Sequence, residues 1–102
     1  MIKKTSIKIV HIIITGRVQG VSYRWWFQKE AEKKKIIGWV RNRTSNRVEA
    51  EIAGDASNIN EMIKKCKSGP LLAEVENVLI NSVDQLTQVN KNIKGIKILE
   101  TI

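Results

Sequence analysis

The residues best placed to do chemistry form one short stretch, Gly16-Arg17-Val18-Gln19-Gly20-Val21-Ser22-Tyr23-Arg24. It lies between an apolar run, Ile7 to Thr15, and a segment with helical periodicity from Tyr23 to about Lys35. Gly16 and Gly20 let the backbone turn sharply at a strand end and leave its amides uncovered. A helix N-terminus follows at once, with Ser22 as the expected cap. Unpaired amides and the positive end of a helix dipole together attract an anion. Arg24, in the first turn, can fold its planar guanidinium over the same spot. The stretch therefore reads as a pocket for a phosphate-sized dianion. The same pattern also serves as a plain tight connection. It is neither a Walker loop, because Val21-Ser22 follows Gly20, nor a dinucleotide fingerprint, because G-x-G-x-x-G is absent.

The elements that must position this stretch follow from periodicity. Ile7 to Thr15 is apolar at both parities, as expected of a central strand covered largely on both faces. Tyr23, Trp26, Phe27 and Ala31 recur with helical spacing and form one apolar stripe, while Trp25 falls outside it, at the pocket rim or on plain surface. Ile37 to Arg43 is a second strand. Thr44-Ser45-Asn46 is a turn in which Asn46 tolerates positive φ. Val48, Ala50 and Ile52 alternate with Arg47, Glu49 and Glu51, the pattern of a half-buried strand. Asp55 to Ser68 carries Ile59, Met62, Ile63 and Cys66 on one helical face, and Gly69-Pro70 stops it. Glu74 to Val83 is a fourth strand, Asp84 to Lys94 a polar loop, and Gly95 to Ile102 a short edge strand or a tail. The order β-α-β-β-α-β gives a ferredoxin-like α+β sandwich, a four-stranded antiparallel sheet with two helices on one face and room for a fifth edge strand.

Composition narrows the functional classes. With 102 residues, the chain reads as a single domain spanning 1-102. Apolar content of 42% and charged content of 27% are those of an ordinary globular chain. No apolar run is long enough to span a bilayer, and the N-terminus has no signal-like stretch. A lone cysteine, Cys66, excludes an internal disulfide and fits a reducing cytoplasm, and it reads as a core residue on a helix. One histidine, His11, and one cysteine cannot assemble a closed zinc site, so no metal and no cofactor are expected. His11 reads as a residue of the sheet surface. The net charge of +8 suits an anionic ligand, and equally a solubilising lysine-rich surface around Lys33-Lys34-Lys35 and Lys64-Lys65.

The residues also resemble a known family. Gly16-Arg17-Val18-Gln19-Gly20-Val21-x-Tyr23-Arg24, then Gly38-Trp39-Val40-Arg41-Asn42, then Val48, Gly54, Gly69-Pro70, Ala73 and Val75 are similar to the acylphosphatase pattern, without insertions from about Ile14 to Val78. The resemblance implies the same ferredoxin-like sandwich and a metal-independent hydrolysis of acyl phosphates to a carboxylate and inorganic phosphate. It assigns phosphate binding to the loop amides, Gly16 through Tyr23, and to Arg24, and it assigns the attacking water to Asn42. The implied partner is a small acyl phosphate, with inorganic phosphate as product and inhibitor, acted on by a cytoplasmic monomer without nucleic acid or membrane. Tyr23, Lys34, Lys35 and Asn46 depart from the pattern. Lys35 stands where a glycine usually ends the first helix, so an αL lysine costing ~1 kcal/mol is expected there. The alternative reading is a small basic RNA-binding module of the same element order, against which stands the absence of aromatic residues in Arg47 to Ala53.

Overall fold

A computed structural model describes residues 6–87 and 94–102. Its elements are β1 (Ile7–Arg17), α1 (Tyr23–Lys33), β2 (Ile37–Arg43), β3 (Arg47–Asp55), α2 (Ala56–Ser68), β4 (Glu74–Ser82) and β5 (Ile96–Ile98). The strands form one sheet in the order β4-β1-β3-β2-β5. The first four pair antiparallel, as expected of two interleaved right-handed crossovers. The short strand at the C-terminal end does form, but it runs parallel to β2, with Gly38 opposite Ile96 and Val40 opposite Ile98, so the sheet is mixed. Side chains of α1 hold it in place. The Gln28 amide donates to the Ile96 carbonyl at 2.7 Å, and the Glu32 carboxylate accepts from the Ile96 amide at 3.1 Å. The polar loop expected over Asp84 to Lys94 falls partly outside the described residues.

Both helices pack on one face of the sheet, and the core lies between. Val10, Ile12 and Ile14 of β1, Val40 of β2 and Val48, Ala50 and Ile52 of β3 meet Tyr23, Phe27 and Ala31 of α1 and Ile59, Met62 and Cys66 of α2, all buried. One-sided packing corrects the expectation for β1: Ile9, His11 and Ile13 are only half-buried, because no helix covers their face. His11 lies on that open face, where its Nε2 is 2.6 Å from Glu49 Oε2, while Arg43 donates to the other Glu49 oxygen at 3.1 Å. Glu51, on the same face, is buried. The segment after β4 passes over it, and the Thr87 amide and hydroxyl both donate to its carboxylate, at 2.7 and 2.9 Å. A buried carboxylate needs such donors to replace lost hydration.

The Tyr23 hydroxyl, the one atom by which that residue exceeds phenylalanine, donates to the Cys66 carbonyl at 2.8 Å and ties α1 to the end of α2. Burial pushes the Cys66 thiol up to about 12 and holds the Tyr23 phenol protonated, so neither group is a nucleophile at neutral pH. The first helix ends at Lys33. Lys35 takes φ 56°, and the Ile36 amide returns to the Ala31 carbonyl at 3.1 Å in a Schellman-type closure. Lys35→Gly should therefore relieve the αL cost of ~1 kcal/mol, partly offset by the greater freedom of glycine in the unfolded chain, for a net gain of about 0.5 kcal/mol. An increased denaturant midpoint with an unchanged slope is the expected result, and no shift would mean that the lysine fits this backbone without strain.

Candidate active site

Strand register brings the loop and Asn42 together. Val48, buried on the helix side of β3, sits opposite Ile14 of β1 and Asn42 of β2. Cross-strand partners share a face, so Asn42 points to the same side as Val48 and Val40, towards α1. Ile14 and Asn42 thus flank one residue, two strand spacings or roughly 10 Å apart, at the end of the sheet where β1 runs out into the loop. Gln19 locks this arrangement. Its side-chain amide donates to the Arg43 carbonyl at 2.7 Å and to the Arg47 carbonyl at 3.0 Å, bracketing the β2–β3 turn. Both central residues of that turn, Ser45 and Asn46, have positive φ, at 66° and 57°. Asn46 was the foreseeable one; Ser45 follows because a tight hairpin needs both.

The loop turns as its glycines suggest. At Gly16 the β1–β4 register shifts, φ is 123°, and a Cβ would press into the Glu74 carbonyl. Gly20 has φ 74°. Ser22 occupies the cap position with an outcome different from the expected one: its φ is 61°, and its hydroxyl makes no capping bond. Making no capping bond, the Ser22 hydroxyl does not occupy the first-turn amides. Among the described residues, no backbone carbonyl accepts from the amides of Gln19 through Trp25; the helix ladder begins with Trp26 donating to the Ser22 carbonyl at 3.0 Å. A non-glycine residue held in αL at such a spot is backbone strain of the kind found at ligand sites.

Of the residues Gln19 through Trp25, all except Val21 border a cleft of about 430 Å3. Val18, Gln19, Gly20, Ser22, Tyr23 and Arg24 line one side of it. Asn42, Trp25 and Ile98 complete the wall. Arg24 is half-buried, and no carboxylate among the described residues pairs with it. The Asn42 Oδ1 is buried with no hydrogen-bond partner. Of the other loop residues, Gly16 and Arg17 belong to β1 and line a separate hollow with Thr15, Ser45, Asn46 and Glu76, while Val21 packs against the core. The Gln19 side chain serves the hairpin turn, leaving its backbone to face the cleft. No Asp, Glu, His or Cys lines the cleft, and no group of three or more such side chains among the described residues is arranged around a metal position.

Trp25 and Ile98 show what sequence reading could and could not reach. Trp25 lay off the helix stripe, a signal that left rim and plain surface open; it is at the rim, 59% exposed. Ile98 carried no signal at all, because only the parallel pairing of β5 with β2 brings it near Asn42. On the open face of the sheet, β1 and β3 carry no Phe, Tyr or Trp, so the stacking platform that the RNA-binding alternative requires has no residues to form it there.

The chain is similar to known proteins in sequence and in fold. A family model described as Acylphosphatase matches residues 10–93. An acylphosphatase of Acidiphilium cryptum is 44% identical over 69 residues, which cover 68% of this chain and 76% of the relative. The crystal structure of acylphosphatase from Bacillus subtilis superposes with a TM-score of 0.78 at 29% identity, covering 92% of this chain and 99% of that one. That of an acylphosphatase from Coxiella burnetii gives 0.81 at 25% identity, covering 96% and 100%.

Proposed function

The chain belongs to the acylphosphatase family, and we propose that it hydrolyses the carboxyl–phosphate bond of acyl phosphates with Arg24 and the loop amides holding the phosphoryl group and Asn42 holding the water. The observation that carries the division of roles is the Asn42 Oδ1, a buried acceptor without a partner in the wall of the cleft that Arg24 also lines. A buried polar atom of this kind calls for a partner. An amide oxygen accepts from water and turns a water lone pair towards phosphorus, although it is too weak a base to take the proton. Arg24 and the amides of Gln19 to Trp25 supply donors for the equatorial oxygens, with the dipole of α1 adding positive potential.

An acyl phosphate is an activated anhydride, so positioning and charge stabilisation suffice. Water oxygen forms a bond to phosphorus while the bond from phosphorus to the bridging oxygen breaks, and the carboxylate leaves with that electron pair. With no carboxylate or imidazole in the cleft wall, the water proton passes to a phosphoryl oxygen of the substrate. None of these steps asks for a metal. In this reading the chain works as a small monomer in the cytoplasm, and the cytoplasmic part agrees with its buried, unpaired cysteine.

The test is hydrolysis of benzoyl phosphate with a chelator present, alongside inhibition by inorganic phosphate. Turnover that survives the chelator, with phosphate competing, is the expected result. A folded protein that binds phosphate without turnover would overturn the catalytic reading.

A further inference from the structure

The cleft is divided by chemistry. Among its lining residues Gly20, Ser22 and Arg24 are polar, while Trp25 and Ile98 are the apolar ones that keep exposed surface. Trp25 keeps 59% of its surface exposed between two helix residues, Tyr23 and Phe27, that are fully buried. The Lys29 ammonium, one turn along α1, lies over the Trp25 ring at 5.9 Å from the centroid. Ile98, 38% exposed, arrives by an unrelated route. It sits opposite Val40 in the parallel β2–β5 pair, with the Leu99 amide donating to the Val40 carbonyl at 2.9 Å. Asn42 lies two residues further along β2 on the same face. Single exposed apolar residues need no explanation, but two from distant parts of the chain that converge on one cleft do.

Size points the same way. With a water occupying about 30 Å3 of liquid volume, a cleft of 430 Å3 is far larger than a phosphate group fills. Phosphate seated at Arg24 leaves room in the same cleft for the remainder of the substrate, against the wall that includes Trp25 and Ile98.

We propose that Trp25 and Ile98 form the subsite for the acyl group, and that they select apolar, above all aromatic, acyl phosphates over small ones. The inference rests on the reading of the cleft as an acyl phosphate site and adds the substrate class. Trp25 supplies a flat face for offset stacking or edge contact, with Lys29 limiting the ring's freedom, and Ile98 closes the opposite side against water. Acetyl phosphate offers only a methyl group to this wall and gains little from it.

Binding of two stable analogues tests this without turnover: phosphonates in which a methylene replaces the bridging oxygen, one with a benzoyl and one with an acetyl end, titrated by calorimetry. The wild type should bind the benzoyl analogue about tenfold more tightly or better, the scale of one buried aromatic contact. Trp25→Ala and Ile98→Ala should bring the ratio of the two affinities towards one, and Trp25→Phe should keep most of it. Both residues are exposed enough for these variants to fold. Equal affinities in the wild type, or a ratio unchanged in both alanine variants, would overturn the proposal. An aromatic preference without any hydrolysis of benzoyl phosphate would leave the subsite standing and overturn the catalytic reading instead.

Discussion

Arg24→Ala is expected to lower kcat/KM for benzoyl phosphate by at least about 10^3-fold, the scale on which a guanidinium facing a transferring phosphoryl group acts. The same variant should weaken inhibition by inorganic phosphate, because the guanidinium binds the phosphoryl oxygens in substrate and product alike. Folding should survive. Arg24 is half-buried and makes no ion pair with any described carboxylate, so its removal leaves no group of the folded protein unpaired. Arg24→Lys keeps the charge and loses the planar fork, and should recover phosphate inhibition better than rate. Steady-state kinetics with a phosphate inhibition series, checked against the unfolding curve, measures all of this. An Arg24→Ala enzyme within tenfold of wild type would show that the amides of the loop suffice alone.

Asn42→Ala should separate catalysis from binding. Orienting the water matters only as it approaches phosphorus, so the loss should appear in kcat at about 10^2–10^3-fold, corresponding to roughly 3–4 kcal/mol. Phosphate inhibition should stay close to that of the wild type, since Asn42 belongs to β2 and not to the loop whose amides and Arg24 hold the anion. Stability should hold or rise slightly, because the substitution removes a buried acceptor that has no partner in the folded protein. Loss of phosphate binding along with kcat would instead give Asn42 a role in holding the anion.

Much of this was legible from local pattern. The alternation of Val48, Ala50 and Ile52 with charged residues places three core side chains on one strand, and they are buried as that period requires. The stop at Gly69-Pro70 and the span Ile37–Arg43 were readable for the same reason: they depend on the residues themselves and their immediate neighbours. Where the reading strayed, a partner distant in sequence decided. Ser22 looked like a helix cap by residue type, and it holds the cap position, but the loop gives it a left-handed backbone and its hydroxyl makes no capping bond. Glu51 fitted an outward position of a half-buried strand, and it is buried because Thr87 comes over it. The double apolar parity of β1 suggested two covered faces, whereas both helices share one.

By itself, then, the amino-acid sequence determined the element order, the apolar faces and the glycine-hinged loop ending in Arg24, because spacing, backbone freedom and side-chain chemistry are local properties of a chain; Asn42 became a candidate only through the resemblance to the acylphosphatase pattern. Only the tertiary structure decided that Val48 would hold Ile14 and Asn42 on either side of it, that Gln19 would clasp the β2–β3 turn, and that a parallel β5 would carry Ile98 into the cleft. Those contacts join residues far apart in sequence, and strand register and direction come from burying one continuous apolar face, which no single segment specifies.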